Sequence, residues 1–222
     1  MGETRHSTSR TELKERIVKV ASEAFSASGI KCITMDDIAA SLGISKRTLY
    51  EVFPDKETLL EACILKAQKE TDTFIADVLK ESDNVLEVLL RLYQRSIEKF
   101  HTTNKRFFEE IKKYPKAYEA MRRDNNRNHE DAISFFKHGV RQGFFRDDVN
   151  FAIVGVLVRK QLDVLMETDL CEKFSYLEVY ESIMFTFLRG ISTEKGALEL
   201  ENFIGEYRKR QCAAAEEAPL HN

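Results

Sequence analysis

Apolar residues recur with the spacing of an α-helix along almost the whole of this 222-residue chain. Side chains three and four positions apart share one face of a helix, so this periodicity predicts helices that each bury one face. The chain has only 9 glycines and 3 prolines, whereas β-rich folds of this length normally need many more turn residues. No stretch alternates as a half-buried strand does. The sequence therefore predicts an all-α fold.

Composition and charge narrow the class of protein. Apolar residues make up 43% of the chain, which is enough to form a substantial core. The net charge is −3, so the chain is not a globally basic nucleic-acid binder, although a local basic surface still permits DNA binding. No apolar run approaches the ~20 residues that cross a bilayer, and the N-terminus lacks the apolar stretch of a signal peptide. We therefore expect a cytoplasmic protein with no membrane partner.

Enzyme chemistry is not predicted. The four cysteines are far apart and form no C-x-x-C pair, which indicates reduced thiols rather than a disulfide framework or a zinc site. The five histidines show no H-E-x-x-H spacing, and the chain has neither a glycine-rich phosphate loop nor a G-x-S-x-G motif. We interpret the paired acids Glu109-Glu110 and Asp147-Asp148 as solvated helix charges. We expect no catalytic residue, no metal and no cofactor.

Two very short helices separated by a glycine are predicted near the N-terminus. Thr34 is a good N-cap, with Asp37 three positions later as in a capping box. Gly43 ends the first helix, Ser45 caps the second, and Phe53 ends it because a proline follows. A helix, a tight glycine-containing turn and a second helix are the pattern of a helix-turn-helix.

The second short helix is predicted to have two different faces. Apolar residues of both short helices and of the turn join the helix-turn-helix to the preceding long helix: Ile38, Ala39, Leu42, Ile44, Leu49 and Phe53. The other face offers hydrogen-bond donors, a long cation and a phenol, which are types that contact phosphates and base edges: Lys46, Arg47, Thr48 and Tyr50. Thr34, at a helix N-terminus, and Lys56, at the start of the next helix, are candidates for phosphate contacts. The alternative is ordinary caps and solvated charges on a small helical hairpin.

Residues 10–60 resemble the DNA-binding domain of the TetR/AcrR family of bacterial repressors. The residues that carry the resemblance are Ala24-Phe25, Gly29, Thr34 to Ala39, Leu42 to Lys46, Thr48 to Tyr50, and Phe53 to Leu60. The resemblance implies a three-helix DNA-binding domain whose third helix enters the major groove. Carried over by position, it makes these residues DNA contacts: Thr34, Ser45, Lys46, Thr48, Tyr50 and Lys56. Tyr50 and Lys56 would mostly contact phosphates.

Three positions depart from the family pattern. Arg47 stands where many members have glycine, and it would add a contact to a base or a phosphate. Glu51 and Val52 stand where members often have an aromatic residue or histidine. Glu51 would either accept a hydrogen bond from a cytosine amino group or repel the DNA backbone. The operator sequence therefore cannot be transferred from relatives.

The pattern divides the chain into four parts. Residues 1–10 are predicted to be a flexible arm, 11–57 the helix-turn-helix domain, 58–212 a helical ligand-binding and dimerisation domain, and 213–222 a frayed tail. A single long helix is predicted from residue 116 to about 142.

The predicted helices at 149–167 and 176–190 carry more apolar surface than one monomer face can bury, which favours a homodimer. The resemblance implies that these two helices pair with their twins as a four-helix interface. The alternative is a central core helix.

A small, partly apolar ligand is expected in the helical part by resemblance. The aromatic residues offered for it are Tyr93, Phe100, Phe107, Phe108, Phe135 and Phe136, although such residues are more often simple core than pocket lining. The sequence thus predicts a repressor that leaves a palindromic operator when a small molecule binds. The alternative is a helical sensor or interaction protein that has lost specific DNA binding.

Overall fold

The computed structural model describes residues 3–123, 129–167 and 170–217. These residues form twelve α-helices and one short 3-10 helix, and they contain no strand beyond an isolated bridge between Phe145 and Ser192. The all-α prediction is confirmed. The helices are α1 (Glu3–Ser28), α2 (Met35–Leu42), α3 (Lys46–Val52), α4 (Lys56–Glu81), α5 (Val85–Thr102), α6 (Lys105–Glu110), the 3-10 helix (Ile111–Lys113), α7 (Pro115–Arg123), α8 (His129–Arg141), α9 (Phe151–Glu167), α10 (Leu170–Lys173), α11 (Tyr176–Ile191) and α12 (Glu194–Glu217).

Both ends of the chain are more helical than the sequence predicts. Helix α1 begins at Glu3, so residues 3–10, expected to be a flexible arm from their Ser, Thr and Arg content, are helical. No glycine or proline interrupts the chain from Glu3 to Ser28, and a helix once nucleated extends at low cost per residue. Helix α12 continues to Glu217 through three consecutive alanines, the best helix formers, where a frayed tail was expected.

The predicted long helix at 116–142 is described as two helices, α7 and α8. The predicted continuity between them falls on residues 124–128, which lie outside the described residues. Elsewhere the predicted helix ends agree closely with the structure. The Gly29 N–H bonds to the Phe25 carbonyl at 3.0 Å at the end of α1, and the Asp55 carboxylate accepts the Thr58 N–H at 2.7 Å at the start of α4.

The chain forms two compact units. The first comprises residues 1–77 and 96–127, and the second comprises residues 78–95 and 128–222. This division differs from the predicted domain boundary at residue 57, because α4 and α5 each contribute residues to both units. The segment that begins with α6 belongs to the first unit and is bonded to the end of α1: the Asn104 N–H donates to the Ser26 carbonyl at 2.7 Å, and the Glu110 carboxylate accepts the Lys31 N–H at 2.6 Å.

Each unit has its own apolar core. The core of the first unit joins α1 to the two short helices and to the start of α4, and its buried residues include Ile17, Ala21, Phe25, Ile30, Ile38, Ala39, Leu49, Phe53, Leu59 and Leu60. In the second unit the start of α12 approaches the loop before α9 so closely that a Cβ at Gly196 would overlap the Phe144 carbonyl. No helix in the described parts of the chain combines the length and the apolar character needed to cross a membrane.

Candidate nucleic-acid interface

The first short helix begins with the predicted capping box. The Thr34 hydroxyl oxygen accepts the Asp37 N–H at 3.1 Å, while the Asp37 carboxylate accepts the Thr34 N–H at 2.8 Å and the Thr34 hydroxyl at 2.6 Å. These bonds, the one from the hydroxyl first, lower the pKa of the Asp37 carboxyl. The Thr34 hydroxyl proton, which the sequence assigned to a DNA phosphate, is therefore already donated within the protein.

The turn and the second short helix are held by local bonds and one buried anchor. Gly43 has φ +65°, a conformation that glycine adopts at no steric cost. The Ser45 hydroxyl accepts the Thr48 N–H at 3.1 Å and lies 2.8 Å from the Thr48 hydroxyl, so it caps α3 as predicted. Leu49 is completely buried, and it therefore fixes the face that α3 turns toward the core.

The exposed face of α3 follows from that anchor. Side chains advance by about 100° per residue around a helix, so the positions opposite Leu49 are Arg47 and Glu51. We call these two residues the outer pair. Their side chains are 89% and 61% exposed, and Arg47 Nε donates to Glu51 Oε1 at 2.9 Å. Thr48 and Tyr50 lie on either flank of the outer pair, and Tyr50 is 47% exposed.

Lys46 is also paired with a carboxylate. Its Nζ lies 2.5 Å from Asp36 Oδ2 on α2, and the hydrogen bond to Asp36 raises the pKa of the lysine. Two of the cations assigned to DNA thus have acidic partners in the protein without DNA. Sequence reasoning missed both pairs. The i,i+4 spacing of Arg47 and Glu51 was a usable signal, whereas Asp36 and Lys46 are joined only by the tertiary packing of α2 against α3.

Lys56 is half-buried rather than extended into solvent. Its Nζ lies 5.7 Å from the centroid of the Phe25 ring, within the range of a cation–π contact. Burial lowers the pKa of Lys56, and the nearby carboxylate of Glu110 is the largest influence in the opposite direction. The predicted phosphate contact would therefore require the ammonium group to leave the Phe25 ring.

The six predicted ligand-binding aromatic residues are divided between the two units. Phe100, Phe107 and Phe108 belong to the first unit, where the Phe108 ring lies 5.7 Å from each of the other two. Phe135 and Phe136 belong to the second unit, and their rings contact each other at 5.6 Å.

Tyr93, the sixth of these residues, is buried in the second unit. Its hydroxyl donates to the Glu181 carboxylate at 2.7 Å, and burial strongly raises its pKa. The four rings around it are those of Tyr180, Phe185, Phe203 and Tyr207. Tyr93 therefore fills the centre of an aromatic core cluster.

A cleft of about 580 Å³ lies elsewhere in the second unit, between α5, α12 and the loop before α9. It is lined by Asn84, Leu86, Glu87, Leu90, Arg91, Gln94, Phe144, Glu199, Asn202, Phe203 and Glu206. None of the six predicted residues lines it, and sequence reasoning missed it because its walls come from distant segments. Among the described residues no group of three or more His, Cys, Asp or Glu side chains is placed to hold a metal ion.

Comparison with known proteins links the N-terminal part of the chain to one family. Residues 17–63 match the sequence model described as bacterial regulatory proteins, tetR family. The uncharacterized HTH-type transcriptional regulator YvaF of Bacillus subtilis is 37% identical over 82 residues, which are 36% of this chain and 43% of that protein. The HTH-type transcriptional regulator SAB2452 of Staphylococcus aureus is 36% identical over 73 residues, 33% of this chain and 38% of that protein. The chain thus spans less than half the length of these curated relatives.

Solved structures extend the similarity of fold over most of the chain. A transcriptional regulator from Cytophaga hutchinsonii has a TM-score of 0.62 at 23% identity and covers 81% of this chain and 98% of its own. A putative transcriptional regulator from Saccharomonospora viridis, solved in complex with choline, has a TM-score of 0.64 at 19% identity and covers 83% and 100%. At such identities the likeness concerns the fold alone.

The two short helices and their exposed polar face define a helix-turn-helix protein. Residues 17–63 of the chain are similar to the DNA-binding domain of bacterial regulatory proteins of the tetR family. The two curated relatives that this part of the chain matches are described as transcriptional regulators.

Proposed function

We propose that this protein is a homodimeric transcriptional repressor that binds a palindromic operator and leaves it when a small molecule binds. The observation that carries the proposal is the position of α3. Buried Leu49 fixes one face of this helix in the core, and the opposite face carries exposed polar groups of the kind that contact DNA. A rigid helix with such a face fits the major groove.

The proposed DNA contacts are the residues assigned from the sequence. Arg47, Thr48 and Lys46 contact base edges or nearby phosphates, while Tyr50 and Lys56 contact phosphates. Thr34 and Ser45 serve first as caps, because their hydroxyls already bond within the protein. Any contact they make to a phosphate is additional to that role.

Homodimerisation is proposed through α9 and α11. Ile153, Val156 and Leu157 are 57%, 47% and 56% exposed and share one face of α9. A contiguous exposed apolar face of this kind marks a protein interface. Helix α11 differs from expectation, because its large apolar side chains are buried or half-buried and its exposed positions include the small residues Ser182 and Thr186. Small side chains allow a partner helix to approach closely.

The ligand is proposed to bind the second unit in the cleft between α5 and α12. Its volume lies in the range of small-molecule sites, and its apolar residues include Leu90 and Phe203. Three glutamates and one arginine among the lining residues favour a ligand that is partly apolar and positively charged. Such a ligand lowers DNA affinity by binding more tightly to a conformation in which the recognition helices are wrongly spaced.

The function is tested by binding the purified full chain to duplexes that flank its own gene and to random duplexes of equal length. We expect tighter binding to one flanking sequence, by about a thousandfold or more at moderate salt. Binding no tighter than to random DNA would favour the second candidate, a helical sensor without specific DNA binding. The pairing of Lys46 and Arg47 with acids favours that candidate.

The ligand is tested on the same protein–DNA complex with a panel of amphipathic cations. A compound that releases the DNA from the wild type should release it only at higher concentration from Glu199→Gln. If the two proteins respond equally to every active compound, the ligand does not bind in this cleft.

A further inference from the structure

We propose that Arg47 and Glu51 act together as the specificity-determining residues of α3, and that they select a guanine and a cytosine in the same or in neighbouring base pairs. This inference rests on the proposed DNA-binding function and deepens it. A single recognition unit, formed by Arg47 and Glu51, accounts for both of these departures from the family pattern.

Arg47 and Glu51 are one helical turn apart and lie opposite the buried Leu49, so they form the outermost part of α3. When a helix enters the major groove, its outermost side chains come nearest to the base edges. Thr48 and Tyr50, on the flanks, lie nearer to the sugar–phosphate walls.

The pair retains hydrogen-bonding groups for base edges. A guanidinium has five N–H donors, and the bond to Glu51 uses the one on Nε. The Nη groups therefore still offer the bidentate donor edge that matches O6 and N7 of guanine. Glu51 uses Oε1 for Arg47, and its second oxygen can accept from the N4 amino group of cytosine, the base donor that carboxylates contact.

Four residues of α-helix rise by about 6 Å, while stacked bases are about 3.4 Å apart, so the two side chains reach the same base pair or its neighbours. One C·G pair presents a donor on cytosine beside two acceptors on guanine. An acceptor on Glu51 beside donors on Arg47 is the complement of that pattern.

A carboxylate that enters the negatively charged groove loses hydration and gains nothing from an acceptor such as thymine O4. Arg47 does not offset this cost at a thymine. Its bond to Glu51 is already present in the free protein, so that bond adds nothing to the free energy of binding. Glu51 thus lowers the affinity for base pairs that offer it no donor, whereas Arg47 raises the affinity for guanine.

The test is selection of bound duplexes from a randomised pool by the full-length chain and three variants, followed by competition measurements. The wild type should enrich a G·C pair at one fixed position of each half-site, and replacing that pair by A·T should weaken binding about tenfold or more. Arg47→Ala should lose the preference for guanine. Glu51→Gln should accept adenine at the cytosine position, because glutamine makes paired bonds to adenine.

Glu23→Gln is the matched control, since it removes the same charge at an exposed site on α1. It should keep the wild-type preference. If Glu51→Gln strengthens binding to all sequences equally and selects the wild-type site, Glu51 acts only by repelling the backbone and the proposal is wrong. If the wild type itself enriches no sequence, the proposed function fails and this inference fails with it.

Discussion

At the scale of single residues, the interface is notable for the acids that accompany its cations. Asp36 forms an ion pair with Lys46 and Glu51 forms one with Arg47, and both carboxylates are exposed to solvent. Affinity for any DNA depends mainly on the cations that replace counterions at phosphates. Acids that occupy those cations lower affinity for random sequences, and they thereby increase the importance of correct base contacts.

Replacing Asp36 by asparagine should strengthen binding to operator and random DNA alike, because it frees Lys46 for a phosphate. If one phosphate contact is gained, the slope of log affinity against log salt concentration should steepen by about 0.9. Fluorescence anisotropy over a series of salt concentrations measures both effects. Asp72→Asn, an equal charge change at an exposed site of α4, should leave the slope unchanged. A changed base preference in Asp36→Asn would show that Lys46 contacts bases instead.

At the scale of elements, the arrangement of α1, α2 and α3 depends on short connections with fixed backbone conformations. Gly29 and Gly43 end α1 and α2 with φ +84° and +65°. Their surroundings differ. A Cβ at Gly29 would lie 2.9 Å from Arg106 Cβ on α6, whereas nothing lies within 4 Å of a Cβ at Gly43. Only the first glycine is therefore also a packing requirement.

Alanine at Gly43 should cost about 1–2 kcal/mol of stability from the left-handed backbone alone. Alanine at Gly29 should cost more, because it adds a clash with α6 to the same backbone strain. Urea denaturation of both variants, followed by circular dichroism, measures the two losses against the wild type. Equal losses would mean that α6 moves away from α1 at negligible cost, and that its hydrogen bonds to α1 contribute little.

At the scale of the whole molecule, the proposed function depends on the association of two chains. The exposed apolar face of α9 contains Ile153, Val156 and Leu157. Burial of such a face in a partner contributes roughly 25 cal/mol for each Å² of apolar surface removed from water. Two associated chains would also present two recognition helices to successive turns of the DNA.

Leu157→Glu should convert the protein to a monomer and weaken operator binding, since a monomer contacts one half-site. Light scattering after size-exclusion chromatography measures the mass, and anisotropy measures the affinity. Leu198→Glu provides the control, because Leu198 on α12 is 64% exposed and lies outside the proposed interface. A dimeric Leu157→Glu protein would place the interface on another surface.

The helix-turn-helix was predictable from sequence because its determinants are local. The bonds between Thr34 and Asp37 and between Ser45 and Thr48 join residues three positions apart. The turn at Gly43 and the end of α3 before a proline depend only on adjacent residues. Apolar periodicity then identified the buried face, including Leu49. Interactions between residues so close in the chain follow directly from the local sequence. The sequence by itself therefore determined the fold class and the scaffold of the interface.

Contacts between distant residues were decided only by the tertiary structure. Asp36 reaches Lys46, Lys56 lies on Phe25, and α6 bonds to the end of α1 because separate helices pack side by side. The aromatic residues offered for one pocket separated into two units for the same reason. Periodicity shows which side chains are buried but not which helix they meet. Arg47 and Glu51 lie between these limits: their spacing and their position opposite Leu49 were visible in the sequence, and the tertiary structure shows that both side chains are exposed and bonded to each other.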